Sequence, residues 1–275
     1  MKKLKVTYPV IPNMGDLLNP LIIEKLFDYK VESTNRYSSD LIGIGSGLGG
    51  FQKEPGLKNS FLQNYSKIFS GNLHVWGTGF IHSDETMTSS FFRKNVIIHA
   101  LRGEKTRRRV EQIMNKDIDV PLGDGGLLAS ELINPTNKKY RLGIIPHFKE
   151  QEDPVFEKLK KKHSDSTIID LREDPIEVIK KLSECETIIS SSLHGLIVAD
   201  SFGIPNAYVK VTDNLLGDGF KFHDYYSSFG LKCNVMSKTD ILELSVTDIQ
   251  RNYEVDFSEV TQKKQQLKEA FPKKI

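Results

Sequence analysis

The sequence predicts a two-domain α/β protein built on parallel sheets, and three observations carry that expectation. The chain has 275 residues, more than one average domain and enough for two. Short β-rich apolar runs alternate with helical patterns, the order that βαβ units produce. A polar, turn-forming run, Asn134-Pro135-Thr136-Asn137-Lys138-Lys139, interrupts that alternation, which then restarts. The expected divisions are 1–135, 140–247 and a final helix over 248–275.

The first half opens with a strand over Leu4–Val10 and a turn through Pro12-Asn13-Met14-Gly15-Asp16. A helix over Pro20–Phe27 follows, with Asn19 as N-cap and Pro20 at the first helical position. Strands over 41–44, 73–76 and 95–101 end in Gly45-Ser46-Gly47-Leu48-Gly49-Gly50, Gly77-Thr78-Gly79 and Arg102-Gly103. Residues 104–114 read as a basic amphipathic helix, with Arg107, Arg108 and Arg109 as its solvated face. Residues 119–122 read as a short strand ending in Gly123-Asp124. In the second half, strands over 140–146, 167–171, 187–190 and 206–211 alternate with helices over 153–163, 175–184 and 193–202.

Composition narrows the function. With 38% hydrophobic and 27% charged residues, the chain can build ordinary globular cores. A net charge of +2 gives no drive toward nucleic acid, although a local basic cluster can still hold a small anion. Cys185 and Cys233 stand far apart and form no redox or zinc signature; two free thiols suit a reducing cytosol. No metal site is expected, because the histidines lack the i, i+4 pairing of a helical zinc site. The N-terminus lacks the h-region and cleavage site of a signal peptide, and no stretch is long and apolar enough to span a membrane.

Glycine, histidine, arginine and aspartate gather just after the strand ends, the edge where open α/β sheets bind ligands. The densest signal is Ser190-Ser191-Ser192-Leu193-His194-Gly195, a strand running into an apolar helix. Backbone N–H groups at that helix start, with serine hydroxyls and an imidazole added, make an anion site, and Gly195 admits close approach. The pattern G-x-G-x-x-G at Gly45, Gly47 and Gly50 lacks the helix that a dinucleotide site requires. Residues 51–57, with Pro55 and Gly56, read as loop.

The segment Ser191-Ser192-Leu193-His194-Gly195-Leu196-Ile197 through Gly203-Ile204-Pro205 resembles the C-terminal signature of the polysaccharide pyruvyltransferase family. Asn13-Met14-Gly15-Asp16-Leu17-Leu18-Asn19, Ile44-Gly45-Ser46-Gly47, Val75-Trp76-Gly77-Thr78-Gly79-Phe80 and Leu101-Arg102-Gly103 resemble its earlier segments in order. So do Gly123-Asp124, Ile145-Pro146-His147 and Lys221-Phe222-His223-Asp224-Tyr225-Tyr226. Gly125 stands where the family usually has proline, and Ser192 where many members have arginine. The resemblance implies two Rossmann-like domains with parallel sheets facing a cleft, as in GT-B glycosyltransferases.

It also implies transfer of a pyruvyl group from phosphoenolpyruvate, a co-substrate rather than a resident cofactor, to a sugar of an exopolysaccharide or cell-surface glycan as a pyruvate ketal. By that resemblance His194, Asp16 and Arg102 are the catalytic candidates. Ser191, Ser192, His194, Gly195, Arg102, His147 and Lys221 are the donor-binding candidates, Arg102 or Lys221 taking up the charge absent at Ser192. Asp16, Asn19, His223, Asp224 and Tyr225 are the acceptor-binding candidates, the acceptor being a glycan or lipid-linked oligosaccharide. Two alternatives stay open. One is a glycosyltransferase gripping a nucleotide sugar through Asp218 or Asp224. The other is a degenerate homologue that binds glycan without catalysis. The expected location is cytoplasmic, the lysine-rich tail being a solvated helix face or lying at the inner membrane surface.

Overall fold

The computed structural model describes residues 1–275 except 54–55, 84–89, 135, 214, 216 and 274, and describes 57, 58 and 69 by backbone alone. Two five-stranded parallel sheets form the frame. The first contains β1 (Lys2–Val6), β2 (Tyr29–Ser33), β3 (Leu41–Ile42), β4 (Leu73–Thr78) and β5 (Val96–Leu101), in the order β2-β1-β3-β4-β5. Helices α1 (Met14–Phe27), α2 (Leu57–Phe69) and α3 (Glu104–Met114) connect them. The second contains β6 (Leu142–Ile145), β7 (Ser166–Ile168), β8 (Ile188–Ser190), β9 (Asn206–Val209) and β10 (Val235–Met236), in the order β10-β9-β8-β6-β7. Its helices are α4 (Pro154–Lys162), α5 (Pro175–Ser183), α6 (Leu193–Ser201), α7 (Phe220–Ser227) and α8 (Lys238–Glu243). Then α9 (Val246–Arg251) and α10 (Phe257–Ala270) close the chain.

The strand order of each sheet switches once, between β1 and β3 and between β6 and β8, while all strands stay parallel. A crevice opens beyond the strand ends at such a switch point. Asp16 and His194 stand in the first turns of the helices that follow β1 and β8, and Ser46 and His147 in the loops after β3 and β6. Sheet topology thus explains why the functional side chains are so widely spaced in sequence.

One hydrophobic core spans both halves. Leu4, Leu18 and Trp76 belong to the same buried cluster as Leu182, Leu196 and Ile197. The tail completes it. Trp76 Nε1 donates to the Leu267 carbonyl (2.9 Å), and Phe271 stacks on Phe27 with ring centroids 3.7 Å apart. The floor beneath the switch points is therefore packed side chains, which resist displacement.

Several expectations change. The first helix begins at Met14, not Pro20, so Asn19 is an interior residue rather than a cap. Pro20 cannot donate to the Asp16 carbonyl four residues back, and Asn19 Nδ2 supplies that bond instead (3.1 Å). The sequence reading omitted β2, a polar edge strand defined by its pairing with β1, and also α2 and α7. Residues 119–122 make only a bridge between Leu122 and Leu101. The tail read as one helix over 248–275 is two, α9 and α10, broken at 252–256. Two of its lysines are not on a solvated face: Lys263 Nζ donates to the Ser228 carbonyl and Lys264 Nζ to Ser130 Oγ. The loop reading at Pro55 and the linker residue Pro135 lie outside the described residues. Among the described residues, no helix is long and apolar enough to cross a membrane.

Candidate active site

The two switch points meet in a pocket of about 220 Å³. From the first half it is lined by Ile11, Asn13 and Asp16 after β1, by Gly45 and Ser46 after β3, and by Ile81. From the second half come His147, Phe148 and Lys149 after β6, Ser192, Leu193 and His194 after β8, and Lys221 on α7. Of the predicted residues, Asp16, His147, Ser192, His194 and Lys221 come together here.

The α6 N-terminus is uncapped by a side chain. Ser192 is the N-cap residue, yet its side chain makes no capping bond. By contrast, Asp153 and Asp174 cap α4 and α5 with their carboxylates. The first N–H groups of α6 and the Ser192 hydroxyl remain for whatever enters the pocket. Ser190 and Ser191 hold the turn rigid. Ser190 Oγ donates to the Ile145 carbonyl (3.1 Å), and the His147 backbone N–H donates to Ser191 Oγ (2.8 Å). Both are fully buried, so Ser191 positions the site rather than touching a ligand. Gly195 faces Ser190: a Cβ there would collide with Ser190 Oγ. Its lack of a side chain serves helix packing, not ligand approach.

His194 sits against Gly15 and Gly45. A Cβ on Gly15 would fall on the imidazole, and Gly45, with φ +102°, turns its α-carbon toward Cε1. The Nε2 of His194 is buried and has no hydrogen-bond partner among the described residues. Burial, then the charges of Lys221 and Arg102, push its pKa down to about 3. Burial, Lys221 and Lys149 likewise push His147 down to about 4. Both rings are therefore neutral at neutral pH. Gly15→Ala is expected to displace the imidazole, cost about 1–3 kcal/mol by overpacking and abolish activity; thermal melting beside the activity assay checks it. Wild-type activity in that variant would mean the ring position is unimportant.

Beside the exposed Lys149, Lys221 is the half-buried cation of the pocket. It lies over the Phe222 ring (5.3 Å) and makes no hydrogen bond or ion pair among the described residues. Burial and the charge of Arg102 push its pKa down to about 8, against the opposing pull of Glu150 and Asp16. Asp16 accepts a hydrogen bond from Asn13 Nδ2 (2.6 Å); burial raises its pKa, against Asn13 and Lys221.

Four more predicted contact residues, beside Ser191 and Gly195, are structural instead. Arg102 is fully buried and spends its guanidinium on the protein. It donates from Nε to Asp224 Oδ2 (2.9 Å), from Nη1 to Ser46 Oγ (2.5 Å) and from Nη2 to the Phe80 carbonyl (2.6 Å). It supplies field, not contact. Asp224, also fully buried, accepts in addition from Thr106 N and Oγ1 (both 2.7 Å). Tyr225 is buried and donates to Asp200 (2.7 Å). Asn19 ties α1 to the β3 turn, its Oδ1 accepting from Ile44 N (3.0 Å). His223 is exposed on the far side of its helix turn and does not line the pocket.

A wider pocket of about 660 Å³ adjoins the first and shares Ser46 and Ile81 with it. Gln52, Phe80, His82, Arg109 and Asp218 line it. Arg109, expected on a solvated face, packs 4.1 Å over the Phe80 ring and donates to Gln52 Oε1 (3.0 Å). Asp218 reaches across the cleft to Ser83, accepting from its N–H (3.1 Å) and its hydroxyl. With Asp224 buried, Asp218 is the late carboxylate left in the cleft. Sequence reasoning missed Asn13, Ser46, Ile81, Lys149 and Arg109. All but Arg109 flank residues of the motifs already quoted, and neighbourhood to those turns was the usable signal. Among the described residues, no group of three His, Cys, Asp or Glu side chains is placed to hold a metal ion.

A family model described as "Polysaccharide pyruvyl transferase" matches residues 5–213. The "Uncharacterized protein L143" of Acanthamoeba polyphaga mimivirus is 28% identical over 270 residues, covering 93% of this chain and 86% of that protein. The "Succinoglycan biosynthesis protein ExoV" of Rhizobium meliloti (strain 1021) is 33% identical over 63 residues, covering 23% of this chain and 19% of that protein. Among solved structures, a putative UDP-N-acetylglucosamine 2-epimerase from Listeria monocytogenes aligns with a TM-score of 0.49 at 11% identity, over 97% of this chain and 92% of that one. The S. aureus MnaA–UDP co-structure aligns with a TM-score of 0.48 at 10% identity, over 98% and 91%.

Proposed function

Because the chain belongs to the polysaccharide pyruvyl transferase family, we propose that its inner pocket binds phosphoenolpyruvate and that its outer pocket presents a glycan whose two hydroxyls become a pyruvate ketal. The observation that carries this reading is Lys221. A half-buried ammonium that forms no ion pair among the described residues shares a small pocket with the open N-terminus of α6. A compact anion satisfies both, and the donor brings a carboxylate and a phosphate. Lys221 then supplies, from α7, the positive charge that Ser192 does not.

The chemistry needs one proton relay. A first sugar hydroxyl attacks C2 of the donor while its proton passes through the neutral His194 imidazole to C3, which becomes the methyl group. The second hydroxyl then attacks C2, the C2–O bond to phosphate breaks, and the second proton leaves with phosphate. A base that is neutral before the donor arrives can accept the first proton, and the bound anion raises its affinity for it. Asp16, beside Gly15, anchors the sugar hydroxyls. In the outer pocket, Gln52, Arg109 and Asp218 offer the donors and acceptors that hydroxyls require. The name of the Rhizobium relative, a succinoglycan biosynthesis protein, supports a polysaccharide acceptor.

Calorimetry with phosphoenolpyruvate, beside UDP- and GDP-sugars, tests the reading. Lys221→Met is expected to weaken donor binding roughly ten- to a hundredfold, the worth of a charge-assisted contact. In the wild type, affinity should fall as pH rises through the free-site pKa of about 8, because Lys221 is charged below that value and neutral above it. Lys221→Arg should move that decline to higher pH. A nucleotide sugar that binds where phosphoenolpyruvate does not would sink the proposal and favour a glycosyltransferase.

A further inference from the structure

Helix α2 is turned the wrong way for a helix that only serves its own domain. Phe61 and Ile68 are each 71% exposed and Tyr65 is 54% exposed. Their spacing of four and three residues puts them on one face. On the inward side Gln63 and Ser66 are buried, and Ser66 Oγ and Ser70 Oγ each donate to the Tyr37 carbonyl (2.6 Å). Scattered exposed apolar residues are ordinary, but a cluster on one helix face marks a contact surface.

The charge around the cluster identifies the partner. The α2 sequence contains lysines and no carboxylate. Lys67 and Lys94 line one depression together with Ile68, and Lys53 is exposed at the helix approach. A second copy of the chain would bring the same basic rim against itself, and like charges facing each other oppose docking. Apolar side chains flanked by Lys67 and Lys94 instead match the surface of an anionic bilayer, into which such a helix sinks flat.

We propose that α2 is a membrane-surface docking element, with Phe61, Tyr65 and Ile68 entering the headgroup layer and Lys67 and Lys94 pairing with anionic lipid. Of the tail lysines that the sequence suggested for this role, Lys263 and Lys264 are engaged within the protein. The proposal stands independently of the donor reading, because its test measures no activity.

The test is co-sedimentation of the full chain with vesicles of equal parts phosphatidylcholine and phosphatidylglycerol, and with phosphatidylcholine alone. The wild type is expected to pellet with the anionic vesicles and to be released by salt. Phe61→Ser with Ile68→Ser should lower the partition coefficient at least about tenfold. Lys67→Gln with Lys94→Gln should lower it roughly thirtyfold. All four side chains are exposed, and circular dichroism checks that the variants fold. A wild type that stays in solution overturns the proposal, as does vesicle binding that neither variant weakens. A dimer in light scattering that Phe61→Ser with Ile68→Ser dissociates, without vesicle binding, assigns the face to a second copy instead.

Discussion

Replacing His194 with alanine is expected to lower kcat/KM for phosphoenolpyruvate by about three orders of magnitude, the usual worth of a positioned proton-transfer group. The imidazole is wedged against Gly15 and Gly45 at the start of α6, with Nε2 buried and unbonded among the described residues. A core histidine would have found a partner for that nitrogen. The expected loss lies mainly in kcat, because Lys221 and the α6 N-terminus still hold the donor. Steady-state phosphate release, with donor affinity measured separately, distinguishes the two. The pH profile adds a second reading. The free-site pKa of about 3 means that protonation of His194 should not inhibit the free enzyme until well into acid. An acidic limb in kcat/KM centred near 6.5, vanishing in His194→Ala, would show instead that the ring titrates normally and that the proposed neutral relay is wrong.

Arg102→Ala is expected to destabilise the protein by about 3–5 kcal/mol, since it leaves the fully buried Asp224 without its cation. For a chain of this size that corresponds to a fall in Tm of roughly 10 °C. Asp224 also holds the N-terminal turn of α3 through Thr106, so the pair fastens α7 to α3 beside the cleft. Arg102→Met with Asp224→Leu should recover part of the loss, because it removes both charges together. Melting curves for the single and double variants check this. In the folded fraction of Arg102→Ala, donor affinity near neutral pH should change little and the Lys221 limb should move to higher pH, since Arg102 helps to depress that pKa. Wild-type melting combined with a large loss of donor affinity would return Arg102 to the role of donor ligand.

The site was partly legible because strand-end motifs are local. Ser190-Ser191-Ser192-Leu193-His194-Gly195 announced a strand entering a helix N-terminus, and the structure places that N-terminus in the cleft wall. Asp16 and His147 stood at strand ends in the same way, whereas Lys221 was named only as a replacement for the charge absent at Ser192. The residues misplaced by sequence, Asn19, Arg102, Asp224 and Tyr225, sit in equally suggestive motifs. A polar side chain next to a glycine turn reads alike whether it faces a ligand or another buried residue. Arg102 and Asp224 are 122 residues apart and satisfy each other. No local pattern records such a partnership.

The alternation of strands and helices determined by itself that the chain folds as parallel α/β layers, since period and turn chemistry are set residue by residue. It also determined that functional groups cluster at the strand ends. The tertiary structure alone decided which of those groups reach the pocket, that Lys221 rather than Arg102 meets it, and that α2 turns its apolar face outward. Those outcomes depend on burial and on hydrogen bonds between distant segments. Burial is a property of what packs above a residue, and the sequence order does not contain it.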